Sequence, residues 1–491
     1  MNDGKTQNLP IRRQNWALAV IVIGVLVAAV DTTIVILALP TMMHSLHASL
    51  SGIVWVIMAY LLVITLLATQ VGRLGDMYGR VRMYELGFLV FVLGSLLCGV
   101  ASNESTLVGF RILQGIGGAL ISANSGAVIA DTFEPETRGR AYGFTSIGWN
   151  LGAIVGILLG GFITTYFSWR YIFLINVPIG SAAVIVAWFV LKDRGERASH
   201  QIDWWGMVLL GIGLFLVLLS MIQMTSKPFS AELAATLIAG LVFVAIFAIV
   251  ETRQSSPMLH LELFRNRIVS ASLLASFFQS VGNFAVLFLV IMYLQGLRQL
   301  TPLNASLLLV PGYLVGGAIS PVSGRLSDKV GPALPATLGL GIQAIALFLY
   351  GHLGLHTPLW QVTAISIING MGAAGFFPAN NAAIMKGSPK GSYGISSGML
   401  RTFANIGMVL SFASAMLVAS TQIPRKLAFA IFVGTTSLTG KLMIAFNHGI
   451  HTAFYLAIGL MVVAAIFSAL RGPATAQTSN SRITSIKREK L

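Results

Sequence analysis

Apolar residues run through this 491-residue chain in stretches of about twenty, broken by short polar segments. A helix rises 1.5 Å per residue, so a run of that length crosses a hydrocarbon core of roughly 30 Å and predicts a membrane-spanning helix. Fourteen runs qualify. The first six cover residues 15–40, 51–70, 84–102, 105–130, 141–165 and 171–191, and two more occupy 205–224 and 233–251. The last six cover 269–293, 303–323, 333–352, 359–384, 394–420 and 450–470. Segment 421–449 is ambiguous. Leu427–Thr435 is apolar, but Arg425, Lys426, Lys441 and His448 argue against a further span, so the segment reads as a long loop against the outer membrane surface. The tail 471–491 is rich in Ser, Thr, Lys and Arg, a composition that predicts disorder.

The polar connections carry an internal repeat. Gly72-Arg73-Leu74-Gly75-Asp76-Met77-Tyr78-Gly79 returns 252 residues later as Gly324-Arg325-Leu326-Ser327-Asp328-Lys329-Val330-Gly331, with five of the eight positions identical. Both copies follow an apolar run, which predicts two structurally related halves, as in many secondary transporters. The glycines permit a tight turn between closely packed helices, and each aspartate can accept from a nearby helix N-terminus; Arg80 follows the first copy. Six spans take about 180–205 residues, so the longer offset leaves room for the pair at 205–251. The plan is six plus two plus six. It describes an all-α polytopic membrane protein: a cytoplasmic N-terminus (1–14), a six-helix bundle (15–191), a linker with two extra spans (192–266), a second six-helix bundle (267–470) and a cytoplasmic tail (471–491).

Composition agrees. The chain is 56% hydrophobic and only 10% charged, against roughly 25% charged in soluble domains. The net charge of +15 does not suggest nucleic acid, because the basic residues are scattered singly and form no continuous face. With the N-terminus inside, 23 of them fall in cytoplasmic segments and six in external ones, while Arg111 and Arg401 lie within spans. That bias predicts a plasma-membrane protein with both termini in the cytoplasm. The first span is too long for a signal-peptide core and has no small-residue cleavage site. The one cysteine, Cys98, lies in an apolar helix and allows no disulfide framework. His352 and His356 have i,i+4 spacing but no Cys or acid beside them, so no metal site is expected. No GxxxxGK[ST] sequence is present; neither an ATP-driven pump nor an enzyme is expected, and no cofactor.

Five stretches then occur in a telling order: Asp31–Pro40, Gly72–Arg82, Arg111–Gly118, Gly152–Gly161 and Trp169–Pro178. Together they resemble the motifs of the major facilitator superfamily, and in particular its fourteen-span drug:proton antiporter branch, from Trp16 to about Leu470. The resemblance implies two rocking six-helix bundles driven by the proton gradient. It implies a conformational role for Gly72, Asp76, Gly79 and Arg80, and for Gly324, Asp328 and Gly331. There are two departures: Ile36 stands where the family has Asn in helix one, and Ile157 stands for the proline of its fifth-helix motif. Gly152, Gly156, Gly160 and Gly161 remain, and still permit close helix packing.

Asp31 is the only acid deep within a predicted span. A carboxylate at mid-membrane is costly when charged, which suits it to reversible protonation. It lies roughly 14 Å from the Pro40 end of its helix, and Arg111 roughly 9 Å from the same side, close enough in depth to couple. Asp31 is thus the expected proton carrier, Arg111 its electrostatic partner and Gln114 part of their polar network; a static ion pair that fixes helix packing is the alternative. Asn283, Asn369, Phe376 and Phe377 are the expected lining of an adaptable pocket in the second half, with Trp55 and Tyr60 from the first. The function that follows is proton-coupled export of amphipathic small molecules by alternating access. A dedicated metabolite, lipid or sugar carrier, and a non-transporting receptor or scaffold, are the alternatives. The expected partners are substrate, protons and the lipid bilayer, with no nucleic acid; a periplasmic adaptor is compatible but not indicated.

Overall fold

The computed structural model describes residues 11–133, 135–193, 202–254, 257, 259, 261–388, 393–419 and 441–471, and its regular elements are all helices. The first bundle consists of α1 (Ile11–Ser45), α2 (Leu50–Tyr78), α3 (Arg80–Gly99), α4 (Glu104–Thr132), α5 (Pro135–Tyr166), the short α6 (Tyr171–Leu174) and α7 (Asn176–Val190). Two further helices follow, α8 (Trp204–Ser226) and α9 (Ala231–Glu251). The second bundle comprises α10 (Arg267–Ile291), which runs on into a π-turn at Met292–Leu297, then α11 (Pro302–Val330), α12 (Ala333–Tyr350), α13 (Leu359–Gly387), α14 (Tyr393–Ala419) and α15 (Lys441–Ala469). Among the described residues, thirteen spans are long and apolar enough to cross a membrane, counting α6 and α7 as one. The bent α2, with Gly52–Ala68 at 54° to Gln70–Tyr78, makes fourteen.

The helices overrun the apolar runs that announce them. α2 continues through Gly72 and Asp76, so the first repeat copy is helical and only Gly79, at φ +110°, turns the chain. The second copy behaves alike: Gly324 and Asp328 lie in α11 and the turn falls at Gly331, φ +86°. Beyond the hydrocarbon a helix persists until a residue adopts the left-handed region, which glycine does without Cβ strain. α1 likewise runs through Pro40, expected to end it, to Ser45.

One expectation is corrected. The last helix begins at Lys441, not near 450, so 441–449 is not loop; residues 421–440 of that expected loop lie outside the described residues. The polar residues that disguised this start are accommodated, since Asn447 Nδ2 donates to Leu353 O (3.2 Å) and His451 Nε2 lies 2.9 Å from the same oxygen. The span expected at 171–191 is present as Tyr171–Val190, with its hydrogen-bond ladder interrupted at Ile175 between α6 and α7. Pro178 has no N–H for the carbonyl of Leu174, so the ladder is interrupted there.

In the first bundle α1 packs on α5, α3 on α4 and α2 on α4; in the second, α11 and α12 pack on α13 and α10 on α14. α8 and α9 pack on each other, and α8 lies against both α2 and α14 at the edge where the bundles meet. The fifth-helix glycines are contact points. A Cβ on Gly152 or Gly156 would stand within 3 Å of the α1 backbone at Leu26 O or Val30 O, and one on Gly160 3.1 Å from Ile34 O. Gly161 instead faces the other bundle, where its Cβ would meet Pro302 O at 2.9 Å. Beside it Leu303 N donates to Thr165 Oγ1 (3.1 Å), so α5 and α11 are closed together at the end away from the repeat turns, here called the far end.

Candidate functional site

Asp31, on α1, is fully buried in the first bundle with Arg111 and Gln114 of α4. Arg111 Nη1 donates to Asp31 Oδ2 (2.8 Å), and Gln114 Nε2 donates to Asp31 Oδ1 (2.9 Å), so each carboxylate oxygen has its own donor. The two donors are tied together, because Arg111 Nη1 also donates to Gln114 Oε1 (2.6 Å). Three residues apart on one helix, Arg111 and Gln114 share a face, which explains how both reach one carboxylate.

Residues from other helices complete the group. Arg111 Nε donates to Val56 O of α2 (3.0 Å), and its guanidinium carbon lies 4.1 Å from the Tyr60 ring centre and 5.6 Å from that of Phe173. Gln114 Nε2 also donates to Ser95 Oγ of α3 (2.6 Å), and Asn176 Nδ2 of α7 lies 3.5 Å from that hydroxyl. A buried ion pair survives when its remaining hydrogen-bonding capacity is met, and here it largely is. The arrangement can carry a proton. If Asp31 were neutralised, Arg111 would keep Gln114 Oε1, Val56 O and two aromatic faces, so its charge would not be left bare.

The residues expected to line a pocket lie on α2, α10 and α13. Tyr60 belongs to the Asp31 group. Trp55 packs on Phe215 of α8 (ring centres 5.4 Å apart). Phe376 is fully buried where α13 meets Gly339 of α12, while its neighbour Phe377 is 44% exposed. Asn283 and Asn369 each hold a buried Oδ1 without a hydrogen-bond partner among the described residues. A cleft at the far end is lined by Ile36, Pro40, Phe288, Met292, Gln295 and Phe446, none of them an expected pocket residue.

At the repeat end the first-half motif is an ion network. Arg80 donates through Nε to Asp76 (2.7 Å) and through Nη1 to Asp131 at the end of α4 (2.6 Å). Asp193, just beyond α7, accepts from Val81 N at the start of α3 (2.7 Å), and a Cβ on Gly79 would stand 2.4 Å from its carboxylate. Sequence reasoning missed Asp131, Asp193 and Ser95. The first two are acids at the ends of spans among basic residues, where they read as solvated loop charges. Arg401, left unassigned from sequence, donates to Ser122 O (2.8 Å) and so links α14 to α4 across the two halves.

Comparison with known proteins adds four findings. The family model described as Major Facilitator Superfamily matches residues 21–412. The riboflavin transporter RibZ of Clostridioides difficile is 30% identical over 82% of this chain and 87% of its own length. The tetracenomycin C resistance and export protein of Streptomyces glaucescens is 28% identical over 84% and 77%. Among solved structures, a bacterial homologue of the human lysosomal transporter Spinster, inward-facing and unoccupied, superposes with a TM-score of 0.67 at 16% identity, covering 94% of this chain and 98% of that one.

Proposed function

This chain belongs to the Major Facilitator Superfamily, and we propose that it is a proton-coupled exporter of amphipathic small molecules. The observation that carries the reading is Asp31: a carboxylate wholly removed from water, with one donor on each oxygen and a permanent cation beside it. A proton arriving at Asp31 replaces the Arg111 ion pair by a neutral acid and frees Arg111 and Gln114 to shift. That exchange couples protonation to the packing of α1 against α4. Two bundles rocking about a central path would expose Asp31 to one side and then the other. The proton gradient supplies the direction, each charge moved being worth about 2.3 kcal/mol per 100 mV.

In this reading the repeat end faces the cytoplasm, as the distribution of lysine and arginine implies, and the plasma membrane is the site of action. The closed α5–α11 contact at the far end then corresponds to an inward-facing arrangement. No cofactor is required. The likeness to a resistance and export protein supports export. The likeness to a riboflavin transporter favours a second reading, a carrier dedicated to one metabolite, with the same proton chemistry. A scaffold gains nothing from an occluded carboxylate.

The test is proton-driven flux in proteoliposomes. Asp31→Asn should keep the fold and membrane insertion, yet lose gradient-driven transport by about 100-fold or more, the scale of a lost general acid–base group. Undiminished proton-coupled flux in this variant would remove Asp31 from the role.

A further inference from the structure

Arg471, two residues beyond α15, is a buried cation whose one bonded partner is neutral. It is 3% exposed, and its Nη2 donates to Oδ1 of Asn380 on α13, an amide that is 1% exposed. Its Nε and Nη1 are buried with no hydrogen-bond partner among the described residues. None of the described ion pairs involves it. A guanidinium holds five N–H donors in one rigid plane, so with a single donor spent on Asn380, one edge keeps both of its own.

Four helices meet around this group at the repeat end. Arg267, first residue of α10, is exposed and donates through Nε to Leu470 O (2.8 Å), the carbonyl that precedes Arg471. Asn266 Nδ2 donates to Gly387 O (2.7 Å) and ties the start of α10 to the end of α13. Thr337 Oγ1 of α12 donates to Ser468 Oγ of α15 (2.8 Å). The apolar span of α15 closes at Ala469, so Arg471 stands just past the hydrocarbon, at the depth of lipid headgroups. Burial pushes its guanidinium down to about 10, which leaves it charged at neutral pH. A desolvated charge with one neutral acceptor is unfavourable until an anion meets it.

We propose that Arg471, with Arg267 beside it, binds a phosphate group at the repeat end and that this anion pins α10 and α15 together. The planar fork of arginine matches two phosphate oxygens, and a tetrahedral anion keeps further oxygens for a second cation. Arg471 lies past the last helical turn, so its side chain can turn from Asn380 toward Arg267 and the surface without unwinding α15. The phosphate is either the diester of a phospholipid headgroup, as basic recesses between spans bind, or free inorganic phosphate. The site is remote from Asp31 in the chain and in the fold, lying in the other bundle, and holds whichever way substrate moves.

The experiment uses the full chain, delipidated in a neutral detergent at neutral pH and constant ionic strength. It is titrated separately with inorganic phosphate, with dihexanoyl phosphatidylglycerol and with a neutral glycolipid of the same chain length. The thermal unfolding midpoint is followed, since a ligand of the folded state raises it. The midpoint should rise with a phosphate-bearing compound beyond any rise with the glycolipid. A rise with both phosphate compounds identifies phosphate itself as sufficient, and a rise with the lipid alone identifies the headgroup. Arg471→Gln removes the charge and retains an amide donor; the concentration giving half the rise should increase about 10- to 100-fold, the scale of a lost charged hydrogen bond. Arg471→Lys keeps the charge without the fork and should fall between the two. Should the Arg471 variants fail to accumulate, Arg267→Gln, on the exposed side, should weaken the same response several-fold. A wild-type midpoint that answers phosphate compounds no better than the glycolipid, or a response unchanged in Arg471→Gln or Arg267→Gln, overturns the proposal.

Discussion

The two halves reverse direction at matching glycines, Gly79 and Gly331, both with positive φ, yet the chemistry around the two turns differs. At the first, Arg80 opens α3 and joins Asp76 to Asp131, while Asp193 receives the α3 N-terminus. At the second, the position after the glycine is Pro332, which caps α12 without a side-chain hydrogen bond, and α13 ends in Lys386 and Gly387 where α4 brings an aspartate. The chain end beyond the last helix differs too: Asp193 follows α7, whereas the buried Arg471 follows α15 and donates to Asn380 Oδ1. A glycine at positive φ is what the two turns share. Among the described side chains an ion network is seen at the first turn, and the residue that follows the glycine is a cation there and a proline at the second.

Removing the network should break that asymmetry most visibly. Arg80→Ala leaves Asp76 and Asp131 facing each other without their shared cation, and transport should fall by about 10- to 100-fold, the range of a coupling free energy of 1–3 kcal/mol. Pro332→Ala, at the matching place, should stay within about threefold of wild type. Initial rates in the same vesicles compare the two, and equal losses would mean that the halves carry equal weight.

Exchanging the glycines separates strain from crowding. Gly79→Ala and Gly331→Ala both place a side chain at positive φ, at a cost of about 1–2 kcal/mol. At Gly79 the new Cβ also collides with Asp193 and pushes it off Val81 N, which should add about 1–2 kcal/mol. At Gly331 no atom lies within 4 Å of the new carbon. Thermal unfolding in detergent should show the larger drop for the first variant; a larger drop for the second would contradict the packing at Asp193.

The smallest effect concerns the substrate. The deep charge of the first half is balanced, Asp31 by Arg111, and Asn283 and Asn369 of the second half are neutral amides. Neutral or monocationic amphipaths should therefore be transported several-fold better than dications of equal apolar area, which need a second carboxylate. Competition assays across a range of proton gradients rank the two sets, and parity would reveal a negative charge not accounted for by Asp31.

How much of this was legible in the residues depended on isolation. Asp31 stood out because an unbalanced carboxylate in an apolar run has to find a cation, and Arg111 was the basic residue at a matching depth. Asp131 and Asp193 did not stand out, since at helix ends a charge costs little and gives no hint of a partner. The ring contact of Trp55 with α8 was not legible either, because nothing in an aromatic residue on an apolar helix says which neighbour will cover it. The early start of α15 was hidden because Lys441, Asn447 and His448 lower the local hydropathy, while the carbonyl that receives Asn447 comes from a distant loop.

The glycine stripe of α5 also bears on friction. At Gly161 the helix presents bare backbone to α11, opposite Pro302, Leu303 and the Ser306 hydroxyl. Interdigitated side chains resist sliding because rotamers must disengage and re-engage, each passage adding roughness to the energy surface. A surface with only small side chains such as Ser306 and Thr165 lacks most of that roughness. In the proposed cycle the far-end seam would act as a smooth bearing, and the resistance to motion would concentrate at the opposite end, where Arg80 must exchange its partners. The turnover of this molecule would then have the temperature dependence of breaking ion pairs instead of that of repacking a core.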